Sequence, residues 1–531
     1  MTDPNVSRHS RTRAQSHAQS HAHGHAQSRE KGHASQQRTA ADPRVVAFDI
    51  LSDVLGEDAY ANLLTPKVVA ASGMSARDRA FTTDLVYGTL RWMRLLDAIV
   101  CAAARRDADA IDASCLTVLR LGAYQALFLG VPDHAAVSCT VALAKRRVGA
   151  HAGGFVNAVM HRIVGRDRKE WESIVVSRIP KADAVQRLGV RYSHPDWVVR
   201  ELEDSWKASG YADSATDGMD FGAMLERDNE PPAVTLVARP GLITVDDLRA
   251  ELPPDAHCEP GMWSPYALRV RAVAPQAVAA VQSHRAGVED EGSQLAALVL
   301  AAAPLEPVAG GRSIGDASAD GIENPDVRWL DMCAGPGGKT ALLASLAALR
   351  GAKVTANEPS HHRAQLVREN VSAVPEGIDQ VSERDGAAFG KAMPGAFDRV
   401  LVDAPCSGLG ALRRRPEARW RKQADDITAL TEVQKGLLTS ALRAVRPGGV
   451  VAYVTCSPVL DETVRVVDAV LADATENADV TAVRCDARGI LKRVVRDGAR
   501  IPVPEGSGDV QLFEQIHDTD QMFIAVLRRV R

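Results

Sequence analysis

The spacing of hydrophobic residues changes along the chain, and each change marks a predicted domain. From residue 42 to about 175, apolar residues recur at intervals of three and four, as in DPRVVAFDILSDVL and CLTVLRLGAYQALFLG. That spacing is typical of amphipathic helices. Residues 176–272 mix helical patterns such as PDWVVRELEDSW with the strand-like run AVTLVA. We therefore predict an all-helical domain followed by a small connecting α+β unit.

Beyond residue 273, short β-rich runs alternate with helical patterns. The runs VRWLDMC, AKVTANE, FDRVLVDA and GGVVAYVTC are separated by stretches such as TALLASLAALR and TEVQKGLLTSALRAV. Alternation of this kind predicts an α/β fold in which helices cover a parallel sheet. Because ligands of such folds bind at the carboxyl ends of the strands, residues 273–531 are the predicted catalytic domain.

Two segments do not fit this pattern of domains. Residues 1–41 contain almost no large apolar side chains, so they cannot bury enough surface to fold, and we expect them to be disordered. This tail carries six histidines, but no Cys or carboxylate stands at a fixed offset from them, and we expect a solvated tail rather than a metal site. The Gly- and Asp-rich residues 310–326 are predicted to form a surface insertion.

Composition narrows the class of protein. The chain has 531 residues, of which 46% are hydrophobic and 24% charged, and it has no apolar run long enough to span a membrane. The first residues lack the apolar core of a secretory signal, and eight cysteines are too sparse for a disulfide framework. We expect a cytoplasmic protein with free thiols. The net charge of −4 means that a polyanionic partner must be argued from local basic patches, and nothing indicates a protein partner.

The first strand of the α/β domain ends in a glycine-rich loop, DMCAGPGGKT, at residues 331–340. Glycines allow close approach to a ligand, and the following helix offers free N–H groups. A Walker loop is disfavoured because Cys333 occupies the position of its first glycine, and the dinucleotide spacing is not met. A nucleoside-type ligand fits better, since Glu358 at the end of the next strand is placed to accept both ribose hydroxyls.

Two cysteines follow the next two predicted strands. Cys406 lies in DAPCSGLG and Cys456 in VTCSP, so both should face one crevice beside the glycine loop. Packing is the ordinary role of a buried cysteine, but Pro and Gly neighbours favour exposed turns. A zinc pair lacks a C-x-x-C motif or a nearby His. A thiolate can instead add to C6 of cytosine, which activates C5 toward an electrophilic methyl group.

These motifs carry a family resemblance. DMCAGPGGKT, DAPCSGLG and VTCSP, in this order, resemble the S-adenosylmethionine-dependent RNA cytosine-5 methyltransferases. Upstream, LRLGAYQALFLGVPDHAAV and GGFVNAVMHRI resemble the NusB-like RNA-binding domain of the Fmu/Sun type, and VEDEGSQLAA resembles its connecting region. The resemblance covers about residues 42–531. It implies a Rossmann-like catalytic domain, S-adenosylmethionine as cofactor, and ribosomal RNA, 16S rRNA in particular, as substrate.

The resemblance also implies roles for individual residues. Cys456 becomes the nucleophile and Cys406 the cysteine that assists product release, with Asp403 near the methionine end of the cofactor and the target base. Glu358 stands where Asp is frequent, which lengthens its reach toward the ribose. The implied cofactor contacts are Cys333, Ala334, Gly335, Pro336, Gly337, Gly338, Lys339, Glu358, Asp385 and Asp403. No metal site is implied.

A basic run directly after DAPCSGLG is the candidate RNA contact. In ALRRRPEARWRK the predicted RNA-binding residues are Arg413, Arg414, Arg415, Arg419 and Trp420, whose cations would meet phosphates and whose indole would stack on a base. A solvated charged loop is the alternative. Three other functions stay open: a cytosine-5 methyltransferase of tRNA or of another rRNA position, a NusB-like assembly protein with an inactive catalytic domain, and a dehydrogenase, which would leave both cysteines unexplained.

Overall fold

The structure is a computed structural model that describes residues 41–56, 59–211, 220–271, 273–307, 326–477, 480–506 and 508–531. Residues 1–40 of the predicted tail and most of the predicted surface insertion lie outside these residues. Within the described ranges, no helix is both long enough and apolar enough to cross a membrane. The same ranges contain no group of three or more His, Cys, Asp or Glu side chains arranged to hold a metal ion.

The N-terminal domain is helical, as the periodicity predicts. Its elements are α1 (Pro43–Gly56), α2 (Ala61–Ala71), α3 (Ala76–Arg91), α4 (Met93–Ala104), α5 (Ala113–Phe128), α6 (Asp133–Arg147), α7 (Ala152–Val164) and α8 (Arg168–Ser177). Side-chain caps begin several helices: Ser75 accepts from Asp78 N at α3, and Asp112 accepts from Cys115 N at α5. α3 and α5 pack closely, because a Cβ at Gly88 would lie 1.9 Å from the Tyr124 ring.

The connecting unit combines short helices with an antiparallel sheet. Its elements are α9 (Ala184–Arg191), α10 (Asp196–Ala208), α11 (Phe221–Arg227), β1 (Val234–Ala238), α12 (Val245–Ala250), β2 (His257–Pro260), β3 (Ala267–Arg271), α13 (Ala279–Gln282) and β4 (Ala286–Val288). The strand order is β2-β3-β1-β4, and Ala286 in β4 pairs with Ala238 in β1. The predicted boundary at residue 272 is therefore too early. The sheet extends to Val288 because the last strand returns to the open edge of β1.

The C-terminal domain is the predicted α/β fold. Its elements are α14 (Glu291–Ala302), β5 (Arg328–Asp331), α15 (Gly338–Ala348), β6 (Lys353–Asn357), α16 (His361–Asn370), β7 (Ile378–Ser382), α17 (Phe389–Ala392), β8 (Phe397–Asp403), α18 (Ala418–Arg421), α19 (Ala424–Ala444), β9 (Val445–Thr455), α20 (Val464–Asn477), β10 (Ala482–Arg484), α21 (Ala487–Val494), β11 (Val510–Gln511), α22 (Glu514–His517) and β12 (Phe523–Arg529). The sheet runs β10-β12-β9-β8-β5-β6-β7, with β11 paired to β12.

The central strands β9, β8, β5, β6 and β7 are parallel, whereas β12 pairs antiparallel to β9. Both faces of the sheet are covered. In β9, Val450 and Val454 pack with α14 and α15 on one face, and Val451 and Tyr453 pack with α19 on the other. The parallel strands therefore end along one edge of the sheet, and β5, β6, β8 and β9 carry the predicted site residues there.

Candidate active site

The glycine-rich loop between β5 and α15 is anchored from below by Asp331, the last residue of the strand. Asp331 accepts a hydrogen bond from Thr340 Oγ1 at 2.7 Å and one from Cys333 N at 3.4 Å. Burial raises the pKa of Asp331 to about 7. At the top of the loop Gly337 has a φ of +114°, a conformation that glycine adopts without strain, and α15 begins at the next residue.

Neighbouring elements hold the loop from the side. Arg363 donates to Gly335 O at 2.6 Å, and Asn370 donates to Pro336 O at 3.0 Å, both from α16. Glu358, which follows β6 and is only 3% exposed, lies so close that a Cβ at Gly335 would be 2.1 Å from its Oε2 atom. This close approach requires glycine in the loop. It also places a carboxylate against the loop, where the sequence predicts a ribose contact.

The other predicted cofactor carboxylates lie on either side of this position. Asp385 follows β7, is exposed, and accepts from Ala387 N at 3.0 Å. Asp403 ends β8 and pairs with Lys339 of the glycine loop, with an Nζ to Oδ2 distance of 2.9 Å. Burial opposes charge on Lys339, but the carboxylates of Asp403 and Glu289 together raise the pKa of its ammonium group. The loop therefore presents a fixed cation beside Asp403.

The two cysteines meet. The Sγ atoms of Cys406 and Cys456 are 3.5 Å apart, and both residues are half-buried. Their proximity follows from the sheet, because they lie just beyond the paired strands β8 and β9. No disulfide joins them, so both thiols are free.

The surroundings of the two thiols differ in charge. A hydrogen bond from Cys406 lowers the pKa of Cys456, and the nearby cations of Arg415 and Lys339 act in the same direction. That hydrogen bond and burial raise the pKa of Cys406 well above its usual range, and the carboxylate of Glu462 adds to the effect. Burial and the carboxylate of Asp403 oppose ionisation of Cys456, but the hydrogen bond from Cys406 outweighs them, so the pKa of Cys456 falls while that of Cys406 rises.

Comparison with known proteins agrees with this geometry. Residues 322–528 match the family model for the 16S rRNA methyltransferase RsmB/F, and residues 41–165 match the NusB family. A Mycobacterium tuberculosis protein named as a methyltransferase is 43% identical over 93% of this chain and 98% of its own. The ribosomal RNA small subunit methyltransferase B of Pseudomonas putida is 30% identical over 81% of this chain and 89% of its own. The chain belongs to the RsmB/F methyltransferase family.

The fold comparison supports the same architecture. The crystal structure of PH0851 has a TM-score of 0.68 to this chain, covering 92% of it and 99% of PH0851, at 19% sequence identity. At that identity the likeness concerns the fold. A helical NusB domain followed by a Rossmann-like methyltransferase domain is therefore the architecture of this RsmB/F family member, as the sequence predicts.

The predicted RNA contact needs correction, because most side chains of the basic run form hydrogen bonds and ion pairs within this RsmB/F family member. Arg413 is 2% exposed and donates to Asp518 Oδ1 at 2.9 Å. Arg414 pairs with Asp290 and Asp520. These guanidinium groups are occupied by carboxylates of the same chain, so neither is free to bind phosphate.

Arg419 and Trp420 also form hydrogen bonds within the chain, in their case to the connecting and helical domains. Arg419 is fully buried and donates to Ser193 O at 3.0 Å and to Asn229 Oδ1 at 2.8 Å. The indole of Trp420 donates to Leu90 O, at the end of α3, at 2.7 Å. These residues hold the catalytic domain against the helical and connecting domains within the single unit Asp42–Arg531. Of the predicted RNA-binding residues, Arg415 alone is exposed.

Two carboxylates of the site were missed from the sequence. Glu289, just after β4, is buried beside Lys339, and neither of its oxygens has a hydrogen-bond partner among the described residues. Burial raises the pKa of Glu289 to about 7. Glu462 lies beneath the two cysteine loops and is fully buried. Glu289 belongs to the acidic run VEDEG, and Glu462 lies four residues after the end of VTCSP, so proximity to a recognised motif was the available signal.

Proposed function

We propose that this protein transfers a methyl group from S-adenosylmethionine to C5 of a cytosine in ribosomal RNA, with 16S rRNA as the target. The observation that carries the proposal is the pair of thiols 3.5 Å apart beside the glycine loop. Membership of the RsmB/F family and the name of the Pseudomonas putida relative support the RNA substrate. A cytoplasmic location would accompany that substrate.

The two cysteines suit a covalent route. The Cys456 thiolate adds to C6, forming the S–C6 bond and moving the C5–C6 π electrons toward C5. When bound, S-adenosylmethionine supplies the electrophilic methyl group for C5 and leaves as the neutral thioether. A base must then remove the C5 proton, after which the C5–C6 double bond reforms and the S–C6 bond breaks, returning its electron pair to Cys456.

Cys406 fits the role of that base at the second stage. Before addition, its hydrogen bond to Cys456 is the largest influence that raises the pKa of Cys406. Once the Cys456 sulfur is bonded to C6, its negative charge is gone and this influence disappears. Cys406 can then lose its own proton to solvent and accept the one from C5. Asp403, held by Lys339, accepts a hydrogen bond from the exocyclic amine of the base.

The cofactor would occupy the glycine loop. The donor and acceptor set fits a nucleoside: Glu358 would hold the ribose hydroxyls and Asp385 the adenine end. The close approach of Gly335 to Glu358 leaves no room for a side chain there, as expected for a backbone that lies against a ligand. The remaining proposed cofactor contacts are Cys333, Ala334, Pro336, Gly337, Gly338, Lys339 and Asp403.

The RNA would enter over Arg415, whose exposed guanidinium lies near Cys456. A phosphate held there would bring its base toward the thiol. The helical domain, residues 42–175, is proposed to bind a second part of the RNA, in keeping with its NusB family match. A tRNA substrate would use the same chemistry, and an inactive assembly protein would bind cofactor without transferring the methyl group.

Two variants test the covalent mechanism. Cys456→Ala should abolish methyl transfer and form no covalent species. Cys406→Ala should still add and methylate but fail to eliminate, so it should accumulate a thiol-linked RNA complex that a denaturing gel resolves with labelled RNA. The opposite pattern would exchange the two roles. Retained activity with no band in either variant would refute the mechanism, and bisulfite sequencing of rRNA and tRNA would identify the substrate.

A further inference from the structure

A buried carboxylate joins the loops that carry the two cysteines. Glu462 lies in a short 3-10 turn, Leu460–Glu462, between β9 and α20, and it is 0% exposed. Its Oε1 atom accepts from Ser407 N at 2.7 Å and from Gln434 Nε2 at 3.2 Å. Its Oε2 atom accepts from the hydroxyls of Ser407 and Ser457, the latter at 2.6 Å. Four donors therefore surround one carboxylate, which satisfies it without water.

The positions of these donors are significant. Ser407 directly follows Cys406, and Ser457 directly follows Cys456. The two hydroxyls are also 3.1 Å from each other, so the loops are joined side by side. Since both serines are bound to the same carboxylate, the separation of the two sulfur atoms depends on it.

A second contact fixes the loop before Cys406. Gln434, on α19, donates to Pro405 O at 2.9 Å with the same amide that reaches Glu462. The hydroxyl of Tyr453 donates to the backbone carbonyl of Glu462 at 2.8 Å. The carboxylate is thus held from the helix and from the strand, and it cannot move without displacing both cysteine loops.

The carboxylate of Glu462 affects the two thiols unequally. After the hydrogen bond to Cys456, burial and the charge of Cys456, Glu462 is the next influence that raises the pKa of Cys406. It is not among the principal influences on Cys456, whose neighbouring charges are Asp403, Arg415 and Lys339. The same residue that joins the loops therefore disfavours ionisation of one thiol of the pair.

We propose that Glu462 is a positioning residue that holds the two cysteine loops in register, so that Cys406 stays within hydrogen-bond distance of Cys456 and Cys456 is the nucleophile of the pair. The role of nucleophile rests on the proposed function. The difference in reactivity between the two thiols does not, and it can be measured without RNA or cofactor.

The test is competitive alkylation of the full-length protein with a limiting amount of iodoacetamide, followed by peptide mass spectrometry. In the wild-type protein the label should fall mainly on Cys456. Glu462→Gln removes the charge that disfavours ionisation of Cys406, so the ratio of label on Cys456 to label on Cys406 should fall about tenfold. Asp461→Asn is the matched control, because Asp461 is adjacent in the same turn but half-exposed and paired with Arg465; its ratio should equal that of the wild type.

Methyl transfer provides a second readout. Glu462→Gln should lower kcat at least about tenfold and leave the KM for S-adenosylmethionine within about twofold, because the glycine loop does not contact Glu462. If Glu462→Gln does not fold, Ser457→Ala removes a single donor and should lower both the labelling ratio and kcat by a smaller factor. A wild-type labelling ratio in folded Glu462→Gln, or in Ser457→Ala, would overturn the inference. Retained methyl transfer with no thiol-linked RNA complex in either cysteine variant would refute the covalent mechanism of the proposed function and leave this inference standing.

Discussion

Arg419 provides a direct test of the corrected role of the basic run. Its guanidinium lies in the interior and donates to Ser193 O at 3.0 Å, Asn229 Oδ1 at 2.8 Å and Asp228 O at 3.3 Å. Arg419→Met keeps an unbranched apolar stem and removes all three hydrogen bonds. This substitution should lower stability, because it leaves three buried acceptors of the connecting domain without a donor.

The size of the effect can be estimated from two opposing contributions. Burial lowers the pKa of Arg419 from 12.5 to about 10, which corresponds to about 3 kcal/mol against the buried cation. Each charge-assisted hydrogen bond contributes about 2 kcal/mol, so three of them exceed that cost by about 3 kcal/mol. The acceptors left unpaired in the interior add a further desolvation cost of about 1 to 3 kcal/mol. We therefore expect Arg419→Met to lower the free energy of unfolding by about 3 to 5 kcal/mol.

Arg415→Met is the matched control, since it removes an arginine of the same run that is exposed. Its unfolding free energy should stay within about 0.5 kcal/mol of wild type, while RNA binding weakens and the salt dependence flattens by up to about 0.7 log units for each lost single-strand phosphate contact. Urea unfolding followed by circular dichroism and RNA binding at several salt concentrations make the comparison. Wild-type stability with weakened RNA binding in Arg419→Met would refute the structural assignment.

Three further predictions concern carboxylates. Glu358→Ala should weaken S-adenosylmethionine binding by about 1 to 3 kcal/mol, and unchanged affinity in calorimetry would remove Glu358 from the site. Burial raises the pKa of Glu289 from 4.5 to about 7, so the folded protein favours the protonated side chain; the stability this contributes is fully present below pH 4.5 and is lost as the pH rises through 7. Glu289→Gln should therefore remove about 3 kcal/mol of the pH dependence of the unfolding free energy, and an unchanged dependence on pH would contradict the prediction. Despite burial, hydrogen bonds from Arg413 and Arg269 lower the pKa of Asp518 from 3.8 to about 2. Because the side chain is partly exposed, solvent screening reduces the benefit, so Asp518→Asn should cost about 1 kcal/mol at pH 7 and progressively less as the pH falls from 3.8 through 2; an equal cost at both pH values would exclude the charge as the cause.

The sheet and the cysteine pair were predictable because they depend on local patterns. Each central strand is a short β-rich run, and parallel strands in one sheet end at a common edge. Cys406 and Cys456 follow adjacent strands, so their contact required only that β8 and β9 pair in parallel, which they do. The boundary after β3 was not predictable in this way, because β4 is only three residues long and its pairing with β1 is long-range.

The fate of the basic run depended on residues far away in the sequence. Arg413 donates to Asp518, 105 residues away in the sequence, and Arg419 donates to Asn229, 190 residues away. A local excess of positive charge predicts exposure only if no acidic segment folds against it. VEDEG and HDTD are such acidic segments, and their negative charges complement the positive charges of the run. The local sequence does not show, however, that the three segments come together in the fold.

The burial of its neighbours gives Arg415 a defined position. Arg413 and Arg414 are fixed by carboxylates on either side of the chain, and Arg415 N donates to Ala411 O at 2.9 Å, so the backbone at this residue is held. A cation held near Cys456 lowers the pKa of that thiol in a way that a mobile surface arginine would not. The basic run is therefore better understood as a segment that places one guanidinium near Cys456 than as a broad surface for RNA. On this view, Arg415→Met should reduce alkylation of Cys456 at neutral pH as well as RNA binding, and Arg415→Lys should restore part of both.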